Sequence, residues 1–134
     1  MDSTERIRIR SDRDVLLARQ RGRELGRHAG FVSTDLTLIA TAISELARNI
    51  VMYAHDGVLE IKLIAEDYRC GLFIVARDRG PGIADLTRAM QDGFSTSGGL
   101  GLGLPGVKRL MDSFEIHTRP GRGTTVQVAK WRRP

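Results

Sequence analysis

A chain of 134 residues, 41% of them hydrophobic, is long enough for one compact domain with a core of its own and too short for two ordinary ones. Its formal charge of +5, from 21 basic and 16 acidic residues, admits an acidic partner. With 5% aromatic residues and its arginines interleaved with acids it offers no stacking platform, so no nucleic-acid partner is expected. The single Cys70 excludes an internal disulfide or a cysteine metal cluster and reads as a small buried hydrophobe. No apolar run approaches the roughly 18 residues of a membrane span, and the N-terminus lacks an apolar leader core. The expectation is one domain over residues 1–134, cytoplasmic and with no membrane partner.

Ile7 and Ile9 alternate with Arg6, Arg8 and Arg10, the period of a half-buried strand. Ser11 and Asp14 have the spacing of a capping box, and a helix is expected over about 12–28. Val15, Leu16, Ala18, Leu25 and Ala29 form its apolar stripe, and Gly30 its stop. Residues 5–28 hold eight arginines against four acids, so the rest of that helix reads as a solvated or protein-docking face. Ser33-Thr34-Asp35 opens a longer helix, in which Leu36, Ile39, Ala40, Ile43, Leu46, Ala47, Ile50, Val51 and Ala54 keep helical spacing. It should end near His55, where Asp56-Gly57 turns the chain.

Residues 58–65 alternate, with Leu59, Ile61 and Leu63 on one face and Glu60 and Lys62 on the other. A polar connection, Glu66-Asp67-Tyr68-Arg69, leads to the apolar run 71–76, which predicts an antiparallel hairpin. Asp78-Arg79-Gly80-Pro81-Gly82-Ile83 then breaks regular structure, and a short amphipathic piece over about 85–90 precedes a glycine-rich stretch. A helix follows over about 104–112, a strand over 114–118, a turn at Pro120-Gly121-Arg122-Gly123 and a last strand over 124–131. Interleaved helices and hairpin-linked strands predict an α+β two-layer sandwich, a mixed, mainly antiparallel sheet with helices on one face.

Three stretches carry chemistry. Glu45 and Asn49 are four residues apart on the long helix, so their side chains share a face beside the apolar stripe. An Asn oxygen suits Mg²⁺ held jointly with substrate phosphates, and a Glu one turn earlier can accept a proton; on an exposed helix face the same pair is ordinary. Asp78, at a strand end, can accept a hydrogen bond from an exocyclic amine, while Gly80-Pro81-Gly82 leaves space for a flat ring or simply makes a turn. Five glycines, Gly98, Gly99, Gly101, Gly103 and Gly106, follow Ser97 within nine residues, enough backbone freedom to wrap phosphate oxygens. Gly101, Gly103 and Gly106 spell G-x-G-x-x-G, but residues 93–97 precede it where a Rossmann strand should be, and residues 121–128 contain no acid. The protein-kinase glycine loop fails too, because its lysine strand, catalytic loop and metal motif would have to fit into the last 28 residues.

Read together, Glu45 with Asn49, Asp78-Arg79-Gly80-Pro81-Gly82, Gly99-Leu100-Gly101-Leu102-Gly103 and Gly123-Thr124-Thr125 resemble the successive motifs of the GHKL (Bergerat-fold) ATPases. That resemblance implies ATP and Mg²⁺ as cofactors, with Asn49 as metal ligand and Glu45 as base. It places Asp78 at adenine N6, with Gly80, Gly82 and Ile83 in the same loop and Gly82 close to the ring, and Thr125 supports the adenine end. Gly98, Gly99, Leu100, Gly101, Leu102 and Gly103 would form the phosphate loop, and residues 84–97 a lid hinged on glycines. Within the superfamily the chain is similar to the anti-sigma-factor serine kinases, and more narrowly to stressosome switch kinases. The resemblance implies a protein serine/threonine kinase with two partners, a STAS-domain substrate and a PP2C-type phosphatase. A nucleotide-sensing binding module with little turnover shares the same pocket.

Overall fold

The computed structural model describes residues 4–83, 89–90 and 103–133. Strand β1 (Thr4–Ile9) leads to helix α1 (Asp12–His28) and helix α2 (Ser33–Asn49), whose end widens into a π-helical turn, Ile50–Ala54. Hairpin β2 (Gly57–Glu66) and β3 (Arg69–Asp78), helix α3 (Gly103–Leu110) and hairpin β4 (Ser113–Arg119) and β5 (Gly123–Trp131) complete the order. The five strands form one sheet in the order β1-β2-β3-β5-β4. All four pairings are antiparallel among the described residues, the limiting case of the mixed, mainly antiparallel sheet expected.

Alternation decides the core. Leu59, Ile61, Leu72, Ile74 and Val128 point toward the helices and are fully buried, as are Ile39, Ile43 and Leu46 of α2. Each such side chain contributes on the order of 1.5–3 kcal/mol of hydrophobic stabilisation. Cys70 is half-buried at the margin of this cluster. No helix among the described residues is long and apolar enough to cross a membrane.

The α1 stripe differs from expectation. Leu16 is 61% exposed, and the buried positions are Val15, Ala18, Gly22, Leu25 and Gly26. Gly22 and Gly26 are the reason: a Cβ on Gly22 would strike Ile43 Cδ1, and one on Gly26 would lie 2.7 Å from Leu36 Cδ2. The two helices approach along a strip without side chains, which rotates Leu16 outward. At the start of α1, Asp14 accepts from the Arg10 backbone N–H at 2.9 Å and from Ser11 Oγ at 3.3 Å, in place of the expected capping box: the Ser11 side chain caps no N–H of the helix.

The long helix is α-helical only to Asn49. Its last turn bonds with π spacing, His55 N–H donating to the Ile50 carbonyl at 2.8 Å, and His55 adopts a left-handed φ of 67° that ends it. Beyond it, Asp56 accepts two bonds from Arg8, at 2.8 and 3.2 Å, which holds its carboxyl below the ordinary carboxylate range and raises the Arg8 guanidinium. Helix α3 stops at Leu110, two residues early, because Asp112 serves the strand instead, accepting from Trp131 N–H at 2.7 Å. The buried Lys130 donates to the Leu110 carbonyl at 2.9 Å and places a cation at the negative end of α3.

Candidate nucleotide site

Glu45 and Asn49 sit on the last two α-helical turns of α2. Glu45 is not on an exposed face: its side chain is 9% exposed, since α2 packs against α1, α3 and the sheet. Arg48, 43% exposed, donates from Nη1 to Glu45 Oε1 at 3.0 Å and fixes the orientation of the carboxyl. Asn49 is half-buried, and its amide bonds to no described residue.

Gly57 brings the end of α2 against the end of β3. A Cβ there would meet Ile50 Cγ2 and the Arg77 carbonyl at 2.7 Å and Asp78 Cβ at 3.2 Å. From β3, Asp78 faces the helices in phase with Ile74 and Ala76. Its Oδ1 accepts from Gly80 N–H at 2.8 Å and Thr124 N–H at 3.3 Å, which closes a tight turn and joins β3 to β5. Its Oδ2 accepts no bond from the described residues. One carboxyl is thus divided between a structural oxygen and an available one.

The loop after Asp78 is tied down on both sides. Gly80 rests on the π turn, where a Cβ would lie 2.6 Å from Ala54 Cβ. Gly82 has φ +75°, and a Cβ there would drive into the Arg119 carbonyl, so its glycine is required by packing on the β4–β5 hairpin as well as by backbone conformation. Gly121 N–H donates to the Pro81 carbonyl at 2.6 Å, and Ile83 N–H to Thr118 Oγ1 at 2.8 Å. Thr118 in turn shares a bond with Thr124 Oγ1 at 2.9 Å.

These contacts reach Thr124 and not Thr125. Thr125 pairs across from Arg77 and lies on the sheet face away from the helices, whereas Thr124 pairs with Asp78 on the inner face. The signal was present in the alternation: Thr124 has the parity of Val126 and Val128, and Thr125 does not. Thr118 is a further residue of this network that motif spacing did not select. Arg77 pairs with Glu60 at 3.5 Å instead of facing the site.

Gly103 opens α3 with φ 67°. Gly98, Gly99, Leu100, Gly101 and Leu102 of the expected phosphate loop, and the expected lid over 84–97 apart from residues 89–90, lie outside the described residues. Among the described residues no three His, Cys, Asp or Glu side chains gather as a metal site. The Asn49 amide oxygen fits a hard cation that brings its own phosphate ligands and does not by itself form a closed protein cage.

The family model described as histidine kinase-, DNA gyrase B- and HSP90-like ATPase matches residues 34–134. The chain belongs to this family. It is 50% identical over 133 residues to the serine/threonine-protein kinase RsbT of Bacillus subtilis, covering 99% of this chain and all of that one. It is also 31% identical over 103 residues to the anti-sigma F factor of Caldanaerobacter subterraneus, covering 72% of this chain and 71% of that protein. Among solved structures, the RsbU and RsbW domains of a Mycobacterium tuberculosis protein superpose with TM-score 0.65 at 22% identity, over 97% of this chain and 32% of that one. The mycobacterial sensor histidine kinase MprB gives 0.58 at 18% identity, over 98% and 99%. These two likenesses speak to the fold: among the described residues, three α-helices pack on a five-stranded antiparallel sheet, the ATPase-family architecture.

Proposed function

We propose that residues 1–134 form one cytoplasmic kinase domain that phosphorylates a serine or threonine of a STAS-domain regulator. On release from that regulator it binds and activates a PP2C-type phosphatase, in a partner switch of a bacterial stress response. Its class as a serine/threonine-protein kinase rests on the 50% identity to RsbT across nearly the whole of both chains. The observation in the site that carries the nucleotide half is the divided Asp78 carboxyl: Oδ1 is committed to Gly80 and Thr124, and Oδ2 is available to an exocyclic amine.

ATP is the phosphoryl donor, and Mg²⁺ held at Asn49 together with the phosphates would neutralise charge on the transferring group. Asp78 selects adenine by accepting from its N6 amine, and Gly80, Gly82 and Ile83 hold the loop that carries this contact. Glu45, oriented by Arg48, takes the proton of the acceptor hydroxyl as its oxygen attacks the γ-phosphorus. The bond from that phosphorus to the β–γ bridging oxygen breaks, and ADP leaves with the electron pair. Gly98, Gly99, Leu100, Gly101, Leu102 and Gly103 contribute backbone amides to the phosphates in this reading, and residues 84–97 close over them.

Incubation with γ-labelled ATP, Mg²⁺ and a panel of STAS-domain proteins tests the proposal. Label transfer to serine or threonine, abolished by Glu45→Gln, is the expected result. ATP binding with no transfer to any of them would leave a nucleotide-gated binding module with little turnover.

A further inference from the structure

A cavity of about 420 Å³ lies along the β4–β5 hairpin, with His117, Arg119, Arg122 and Thr125 in its wall beside Thr118 and Thr124, the two threonines that hold the Asp78 loop. His117 and Arg119 stand on the exposed face of β4, and Thr125 is on the same side of β5 by register, away from the helices. The inner side of this hairpin is already closed by the loop at Pro81 and Ile83. Neither the Arg119 nor the Arg122 guanidinium meets an acid among the described residues, although other surface arginines do: Arg6 with Glu60, Arg8 with Asp56, Arg21 with Glu5 and Arg133 with Asp112. His117 is held by Glu115 at 3.2 Å. β4 is an edge strand, paired with β5 on one side and with no described strand on the other.

We propose that this edge and cleft bind an extended, acidic polypeptide segment of a partner protein. The unpaired edge of β4 supplies main-chain donors and acceptors for an added strand. The pleat turns every second side chain of that strand toward the outer face, and Arg119 with Arg122 receive its carboxylates as charge-assisted pairs. A polypeptide suits the cleft better than nucleic acid, because its wall holds two arginines and no aromatic ring to stack a base. Arg119 stands on the hairpin face turned away from the helices while Thr118 and Thr124 border the Asp78 loop, and the test needs no nucleotide.

The probe is a fluorescein-labelled eight-residue peptide alternating Glu and Thr, followed by anisotropy with the full chain. Expected are saturable binding that weakens with added salt, amide shifts confined to residues 113–125, and about tenfold weaker binding by Arg119→Glu with Arg122→Glu. Arg13→Glu with Arg23→Glu on α1 leaves the affinity unchanged. Where charge reversal disturbs the hairpin, Arg119→Gln with Arg122→Gln at an unchanged Tm gives the same reading through a smaller loss. Equal binding of a Lys–Thr peptide, full affinity in a folded Arg119/Arg122 variant, tighter binding of an oligonucleotide at these residues, or no saturable binding at about millimolar peptide would each overturn the proposal.

Discussion

Replacing Asp78 by Asn separates the two tasks of one side chain. The amide oxygen can keep the bonds now made by Oδ1, to Gly80 N–H at 2.8 Å and Thr124 N–H at 3.3 Å. The NH₂ group then stands where Oδ2 was and faces the exocyclic amine of adenine donor to donor. Stability changes little, since two bonds to a charged acceptor become two bonds to a neutral one, a loss of about 1 kcal/mol or roughly 4 °C in Tm. Nucleotide affinity loses a charge-assisted bond, about 1.5–3 kcal/mol, so the ATP Kd rises by roughly 10- to 150-fold. Calorimetric titration with Mg-ATP beside a thermal unfolding curve measures both. An ATP Kd within threefold of the parent refutes the assignment of Oδ2 to the base. A loss of the cooperative unfolding transition refutes the assignment of Oδ1, because it would show that the charge itself holds the turn.

Glu45→Gln keeps the shape and the Arg48 contact, so Mg-ATP affinity should stay within about twofold while label transfer falls by roughly 10²–10⁴; undiminished transfer removes Glu45 as base. Gly82→Ala pushes a Cβ into the Arg119 carbonyl at φ +75° and should cost about 1–3 kcal/mol in denaturant unfolding, with weaker ATP binding because the Asp78 loop shifts. Gly22→Val forces α1 away from Ile43 and should destabilise by about 1–3 kcal/mol without changing the ATP Kd of the folded fraction. The Arg8–Asp56 pair lowers the folded-state pKa of Asp56, so its stabilisation is present above the ordinary value near 3.8 and is lost as pH falls through the lowered one. Asp56→Asn should therefore flatten the acid limb of the Tm-against-pH curve, and an unchanged limb would show that the pair adds nothing.

The sequence by itself determined the elements and the order of the motifs. Helical spacing in α2 and alternation in β2 and β3 are local properties, set by which side chains must leave water together, and one strand of sequence suffices to read them. The same holds for Glu45, Asn49, Asp78 and the glycines as residue types able to hold a nucleotide. Tertiary structure decided everything that depends on what lies opposite. Leu16 faces outward because Gly22 and Gly26 leave room for Ile43 and Leu36, a fact about α2 that α1 does not contain. Glu45 is buried because other elements close over α2, whereas its Arg48 partner, three residues on, is local to the helix. Thr124 and Thr118, not Thr125, reach the Asp78 loop because the β3–β5 register sets Thr124 across from Asp78 and Thr118 pairs with Thr124 in the adjoining strand. A hydrophobic period states which residues are to be covered, and only packing between distant segments states what covers them and which oxygen of a carboxyl remains for a ligand.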